Sequence, residues 1–151
     1  MDREEFQNRV IELTDRMYRI SWSILRNNED CRDAMQETAL KAWKKRHSLR
    51  EEGYFATWLT RILINECRNI QRRRRMIVSF SEICGSQSNS FDPIVSMALK
   101  ALDEKLRLPL VMHAIEGMSY DEISKALRIS KASVTGRIQR AREKLRKDLE
   151  A

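Results

Sequence analysis

The 151-residue chain has little of what builds sheets, secreted scaffolds or membrane spans. Glycine (4) and proline (2) are scarce. No run alternates convincingly between apolar and polar residues, so an all-helical protein is the expectation. The three cysteines, Cys31, Cys67 and Cys84, are widely spaced. None pairs with another cysteine, or with His47 or His113, at metal-ligand spacing, so neither a metal nor a cofactor is expected. Such thiols read as reduced and structural, in a cytoplasmic setting. No apolar run nears the roughly twenty residues that cross a bilayer, and no signal peptide is visible. Paired carboxylates, a nucleophile beside its base and a phosphate loop are missing too, which speaks against an enzyme.

What is present is charge. The chain carries a net +7 and has an isoelectric point near 9.6, which favours a polyanionic partner. The charge is unevenly spread. Residues 1–37 hold nine acidic and six basic side chains, and residues 38–76 hold three acidic and eleven basic. Residues 98–151 hold eight acidic and twelve basic. The first segment therefore suits a protein partner and the other two suit nucleic acid. Hydrophobic content of 42% supports real cores, although two small domains would each be marginal alone.

Residues 119–147 carry the strongest local signal. Ser119 can cap a helix, and Glu122 three positions on completes a capping box, with Met118 and Ile123 as the hydrophobic staple. Ser130 repeats the arrangement for a second helix, with Ile129 and Val134 as its staple. Ser133 stands where a Glu would close the box, so this cap is weaker. Val134, Ile138, Ala141, Leu145 and Leu149 recur at spacings of four and three as one apolar stripe. Arg137, Arg140, Lys144 and Lys147 fall on another face. A basic face is often only a solvated one. Two capped helices with a three-residue turn shift the reading to a helix-turn-helix, whose second helix enters the DNA major groove.

The rest of the chain reads as further helices. Phe6, Val10, Leu13, Met17, Ile20 and Ile24 keep helical spacing over residues 4–26. Asn27-Asn28 interrupts the pattern and caps a helix from Glu29 to about Arg46, with Ala34, Met35, Thr38, Ala39, Ala42 and Trp43 on its buried side. His47 to Gly53 reads as a loop. A third helix runs from Tyr54 to about Arg75 on Phe55, Leu59, Ile62, Leu63 and Ile70. It ends in four arginines, Arg72 to Arg75, which suit the negative end of the helix dipole. Residues 77–93, rich in Ser, Asn and Gln, read as a flexible linker. Its apolar members Ile77, Val78, Phe80, Ile83 and Phe91 are candidates to dock on a partner. Beyond it, 94–102 and 103–116 read as helices. Pro109 is expected to bend the second or cost it a backbone bond, and Gly117 to end it. The fold class is thus all-α: two small helical domains joined by a flexible linker, the C-terminal one containing the helix-turn-helix.

With these segments in place, a family resemblance becomes specific. Tyr18 to Asp30, Asp33 to Trp43 and Phe55 to Asn69 resemble region two of a bacterial RNA polymerase sigma factor, and residues 98–147 resemble region four. Regions one and three are absent, as in the extracytoplasmic-function group of the sigma-70 family. The resemblance implies residues 1–76 as the module for polymerase docking and minus-ten recognition, 77–93 as linker, and 94–151 as the module for minus-thirty-five recognition. It implies core RNA polymerase and promoter DNA as partners, and an anti-sigma factor as a third. Asp33, Gln36, Glu37 and Leu40 match positions that dock on the clamp helices of the polymerase's largest subunit. Residues 47–54 match the loop that captures a base flipped from the non-template strand. Arg61, Asn65, Arg68 and Asn69 lie beside that loop as base readers. Arg72 and Arg73, with the rest of the arginine run, are implied backbone contacts. Trp58 fits either base stacking or core packing, whereas Trp22 and Trp43 read as core. In the C-terminal module the implied DNA contacts are Ser130, Lys131, Thr135, Gly136, Arg137, Gln139, Arg140 and Lys144.

The chain departs from the family pattern at four places. Arg128 replaces the usual turn glycine, so that residue is expected to take a positive φ. Thr135 stands where Lys or Arg is common, and Gly136 where Ser is common. Gly136 weakens the helix by up to ~1 kcal/mol relative to Ala and can let the backbone approach DNA closely. Asp103 replaces a common proline and can cap the helix it precedes. A free-standing regulator that uses only the helix-turn-helix is the competing expectation. It leaves Gln36-Glu37-Thr38 and Phe55 to Leu59 without a role. With the sequence ending at Ala151, no built-in regulatory extension is expected.

Overall fold

The computed structural model describes residues 1–77 and 92–150. Val78, Phe80, Ile83, Cys84 and Phe91, the apolar and thiol residues of the expected linker, lie outside that range. The chain divides into two compact units, Met1–Ser88 and Asn89–Ala151. Every regular element among the described residues is helical.

The first unit holds α1 (Arg3–Glu12), α2 (Thr14–Leu25), α3 (Asn28–Lys44) and α4 (Phe55–Ile77). The expected single helix over 4–26 is two helices. Leu13, at φ −97° and ψ 6°, closes α1, and its amide bonds the Val10 carbonyl at 3.0 Å in a tighter turn. The break lets Phe6 stack edge-on against Trp43 (5.2 Å) and Phe55 (5.9 Å). Such aromatic pairs add to what area burial alone contributes. Periodicity ran straight through because Leu13 and Met17 preserve the spacing on both sides of the break.

Arg26 ends α2 in the left-handed region (φ 56°), a position usually left to Gly or Asn. Asn27 then caps α3 as expected, accepting from the Asp30 amide at 2.9 Å. Helix α4 buries Phe55, Leu59, Leu63, Ile64, Cys67 and Ile70 against α2 and α3. Ile62, expected in the core, is only half-buried, and Ile64 takes the deeper place. Trp22 is buried, and Trp43 is half-buried beneath the Arg46 guanidinium at 3.7 Å. His47 to Gly53 is not wholly irregular: 3-10 turns occupy Arg46–Ser48 and Glu52–Tyr54.

The second unit holds α5 (Pro93–Lys100), α6 (Glu104–Leu110), α7 (Tyr120–Leu127) and α8 (Lys131–Glu150). Asp103 caps α6 by accepting from the Leu106 amide. Pro109 is buried inside α6, and the helix widens into a π-turn at Val111–Ile115 directly after it. Proline has no amide hydrogen and crowds the carbonyl four residues back. The chain relieves this by lengthening the next turn rather than by ending the helix. The segment closes at Gly117 (φ 71°), where the Met118 amide reaches the Met112 carbonyl at 3.0 Å. The Gly117 amide itself reaches the His113 carbonyl at 3.1 Å, the five-to-one bond of an αL cap.

The helix-turn-helix forms as its caps foretell. Ser119 and Glu122 exchange both bonds of the capping box. Ser130 accepts from the Ser133 amide at 3.1 Å. Arg128 takes φ 59° in the turn. Val134, Ile138 and Ala141 are buried and Leu145 is half-buried, but Leu149 is 78% exposed. The apolar stripe outlasts its partner, because α8 extends beyond the helices that cover it. A buried residue that sequence pattern missed is Arg107, whose guanidinium donates to the Leu102 carbonyl at 2.7 Å.

The left-handed backbone costs a side-chain-bearing residue about 1–2 kcal/mol, partly offset by the greater chain entropy that glycine brings to the unfolded state. Arg128→Gly is therefore expected to stabilise the second unit by about 0.5–1 kcal/mol. Urea unfolding followed by helical circular dichroism checks this, and a lower midpoint would show that the arginine side chain outweighs the backbone strain.

Candidate nucleic-acid and protein interfaces

Helix α3 presents Asp33, Gln36, Glu37 and Leu40 along one exposed face. Spacings of three and four put them on successive turns. Leu40 is 58% exposed, an apolar member in a charged row. Helix α4 presents Arg61, Asn65, Arg68 and Arg72 at spacings of four, three and four, with Asn69 and Arg73 alongside. Asn65, Arg72 and Arg73 are exposed, and Arg61, Arg68 and Asn69 are half-buried. The Arg61 Nε atom is buried with no hydrogen-bond partner. Arg72 donates to the Asn69 side-chain carbonyl, which orients the amide.

Packing brings two of these sets together. A groove of about 720 Å³ is lined from α3 by Asp33, Gln36, Glu37, Leu40 and Lys41, and from α4 by Glu66, Asn69, Ile70, Arg72 and Arg73. Within it Lys41 Nζ lies 2.6 Å from Glu66 Oε2, and Glu66 is only 6% exposed. Burying a carboxylate without a partner is costly, so the lysine fixes where α3 and α4 meet. Neither residue stood out from sequence. The available signal was Glu66 itself, an acid on the apolar stripe formed by Leu59, Leu63 and Ile70.

The arginine run does not act as one block. Arg74 turns back to form an ion pair with Asp30, a buried residue in the first turn of α3, with Nη2 3.0 Å from Oδ1. Its charge is paired with Asp30 although its side chain stays exposed to solvent, like those of Arg72, Arg73 and Arg75. Arg9 anchors the 46–54 turns by donating to the Glu52 carbonyl at 3.0 Å. Tyr54 is exposed at their end, while Trp58 is half-buried with its ring 5.7 Å from that of Phe55. Tyr54 therefore offers the more accessible aromatic face, which sequence pattern did not single out. Cys31 and Cys67 are both buried, and burial pushes the Cys31 thiol up, away from reactive thiolate.

Helix α8 carries the third set. Ser130, Lys131, Gln139, Arg140 and Lys144 are exposed, and Thr135, Gly136 and Arg137 are half-buried. Gly136, Gln139 and Arg140 lie opposite the buried Val134, Ile138 and Ala141, and Lys131, Arg137 and Lys144 flank that buried stripe. Two hydroxyls already have local work: Ser130 caps α8, and Thr135 donates back to the Lys131 carbonyl at 3.0 Å. At Gly136 a Cβ would stand 3.3 Å from Arg140 Nη1 and 3.9 Å from Cζ. Among the described residues no His, Cys, Asp or Glu cluster could hold a metal ion, and no helix is long and apolar enough to cross a membrane.

Lys41→Met should cost the first unit about 2 kcal/mol, because it leaves Glu66 buried without its counter-charge. Adding Glu66→Met should recover most of that loss, since an apolar pair fills the same space. Chemical denaturation of both variants checks this. A double variant no more stable than the single one would mean that the pair contributes through shape rather than charge.

Two family models match the chain, one in each compact unit. The family described as Sigma-70 region 2 matches residues 10–76, and Sigma-70, region 4 matches residues 94–145. The chain is 29% identical to the ECF RNA polymerase sigma factor SigE of Mycolicibacterium smegmatis, over 91% of this chain and 58% of that protein. It thus spans little more than half the length of that relative. It is 27% identical to the ECF RNA polymerase sigma-E factor of Salmonella typhimurium, over 76% of this chain and 71% of that protein. A solved complex of the sigma factor RpoE with the anti-sigma factor NepR from Bartonella quintana has the same fold, with a TM-score of 0.81 at 22% identity over 98% of each chain. CnrH in complex with the cytosolic domain of CnrY gives 0.76 at 28% identity, over 99% of this chain and 90% of that one.

Proposed function

Since the chain belongs to the sigma-70 family, in its extracytoplasmic-function group, we propose that it binds core RNA polymerase and directs promoter-specific transcription initiation. The observation that carries this reading is the α3/α4 groove. An acidic and polar row with one exposed leucine suits a basic helical partner. The row beside it, Asn69, Arg72 and Arg73, suits an anionic strand. One small unit thus offers surfaces for a protein and for DNA on adjacent helices.

In this reading residues 1–76 dock on polymerase and recognise the minus-ten element, 77–93 link, and 94–151 recognise the minus-thirty-five element. Asp33, Gln36, Glu37 and Leu40 meet the polymerase. Arg61, Asn65, Arg68 and Asn69 read bases of the minus-ten element by hydrogen bonds, and Arg72 and Arg73 hold its backbone. Tyr54, exposed at the end of the 46–54 turns, stacks on an extruded base. Holding unpaired bases offsets the few kcal/mol of unstacking. Melting is thereby assisted by binding alone, with no chemical step by this chain. Helix α8 lies in the major groove of the minus-thirty-five element, with Arg137 and Arg140 as its main base contacts and Lys131 and Lys144 on phosphate. An anti-sigma factor is the natural antagonist, by analogy with the structural relative solved with one.

Two measurements test the assignments. Gln36→Ala combined with Glu37→Ala should weaken competition for core polymerase while leaving the stability of the first unit within about 0.5 kcal/mol, since both side chains are exposed. Unchanged competition would remove α3 as the docking face. Arg137→Ala should cost about 1–3 kcal/mol of promoter binding and relax preference at one base pair. A uniform loss over all promoter variants would reassign Arg137 to phosphate. Specific run-off transcription by the chain with core polymerase tests the reading as a whole.

A further inference from the structure

The opening third of α8 is unusual in having a glycine among its outward residues. The three atoms nearest to where a Cβ of Gly136 would be all belong to Arg140: Nη1, Cζ and Nη2, at 3.3, 3.9 and 3.9 Å. The guanidinium therefore rests over the bare backbone of Gly136. Helical geometry explains the direction. Side chains lean toward the helix N-terminus, so residue i+4 covers the turn occupied by residue i. The Cβ of an alanine or serine at 136 would stand 3.3 Å from Nη1, so the guanidinium would have to give way by a few tenths of an ångström. Among the described residues no hydrogen bond or ion pair claims Arg140, so packing over Gly136 is its one visible restraint.

We propose that Gly136 is a specificity-determining positioning residue: its missing side chain leaves a notch in which the Arg140 guanidinium, leaning one turn toward the N-terminal end of α8 as helix geometry directs, seats more closely than any side chain at 136 would allow. This inference rests on the reading that α8 lies in the major groove. There the N-terminal residues of the second helix meet base edges. An arginine seated back along the helix offers its donor fork to a different base pair from one that a side chain at 136 pushes outward. Arginine is the side chain for which such a shift matters most, because its planar fork pairs bidentately with guanine in a narrow range of poses. Gly136 thus acts through Arg140, and its cost in helix propensity is the consequence of making room.

The alternative roles for Gly136 predict different behaviour. A glycine kept for close backbone approach to DNA would resist any substitution, whatever residue occupies 140. A glycine with no role would give way to alanine with a gain in helix stability and no change in base preference.

The test uses the full-length chain assembled with core polymerase, and a promoter library randomised across the minus-thirty-five element. Gly136→Ala, Arg140→Ala and the double variant are compared with the parent by sequencing the bound DNA. Gly136→Ala is expected to change relative preference at one or two adjacent base pairs by at least about fivefold, the lower end of what one bidentate contact discriminates. Those are the positions at which Arg140→Ala relaxes preference. In the Arg140→Ala background, adding Gly136→Ala should change nothing further, the non-additivity expected of two residues that act as a unit. Circular dichroism should show unchanged or increased helix content, which separates positioning from damage to the fold.

Three results would overturn the inference. If Gly136→Ala leaves preference unchanged while Arg140→Ala relaxes it, α8 reads DNA through Arg140 without help from the notch. If the Gly136→Ala shift persists without Arg140, the new methyl acts on DNA directly. If Arg140→Ala changes neither affinity nor preference, Arg140 is not a base contact, and that part of the underlying reading fails with the inference.

Discussion

The packing of α4 against α2 and α3 is the constraint on which the first unit depends. A 23-residue helix with a full apolar stripe, Leu59, Leu63, Ile64, Cys67 and Ile70, has one way to bury that stripe. Once it is buried, every other side chain on α4 is committed to a direction. Asn65, Arg72 and Arg73 face outward because the leucines face in. Helix α3 meets the same demand through small residues, Ala34, Thr38 and Ala42, which let it lie close. Its acidic and polar row consequently sits beside the basic row of α4. The Lys41–Glu66 pair at their junction resists sliding, because any displacement would strand a buried carboxylate. Two surfaces of different chemistry thus come from one act of hydrophobic burial.

The second unit relies on termini rather than on a long seam. Apart from α8 its helices are short, eight residues or fewer, and short helices are marginal without caps or packing. Asp103, Ser119 and Ser130 each satisfy amides at a helix start, and Gly117 and Arg128 each turn the chain through the left-handed region at a helix end. These five residues set the angles at which α6, α7 and α8 meet around Met118, Ile123, Val134 and Ile138. The outward face of α8 follows from that core, as the outward face of α4 follows from its own. In both units charge is displayed by default, and what varies is which of the charges remain free.

Local signals were legible where a residue's effect is confined to its own turn. The capping box at Ser119, the caps at Asn27, Asp103 and Ser130, the end at Gly117 and the positive φ at Arg128 all depend on backbone atoms within a few residues. The misses have the opposite character. The break at Leu13 is invisible to periodicity because the apolar spacing continues through it. Proline chemistry announced a disturbance at Pro109, but whether the helix would stop, kink or widen depended on how the following turn packs. Leu149 belongs to a stripe by spacing alone, and only the length of the neighbouring helices leaves it in water. Arg74 looked like its neighbours until Asp30, 44 residues earlier, captured it.

By itself the sequence determined the helical class, the two-part plan, the family, and the residue types from which each interface is proposed. These depend on periodicity, capping chemistry and motif order, all of which lie along the chain. Tertiary structure decided which candidates share a surface. It put Asp33 and Glu37 in one groove with Arg72 and Arg73, paired Arg74 with Asp30, left Tyr54 more open than Trp58, and laid Arg140 over Gly136. The reason is physical. Helical spacing fixes a side chain's direction relative to its own axis, whereas accessibility and pairing depend on where a second axis passes, and that is fixed only when the apolar faces close on one another.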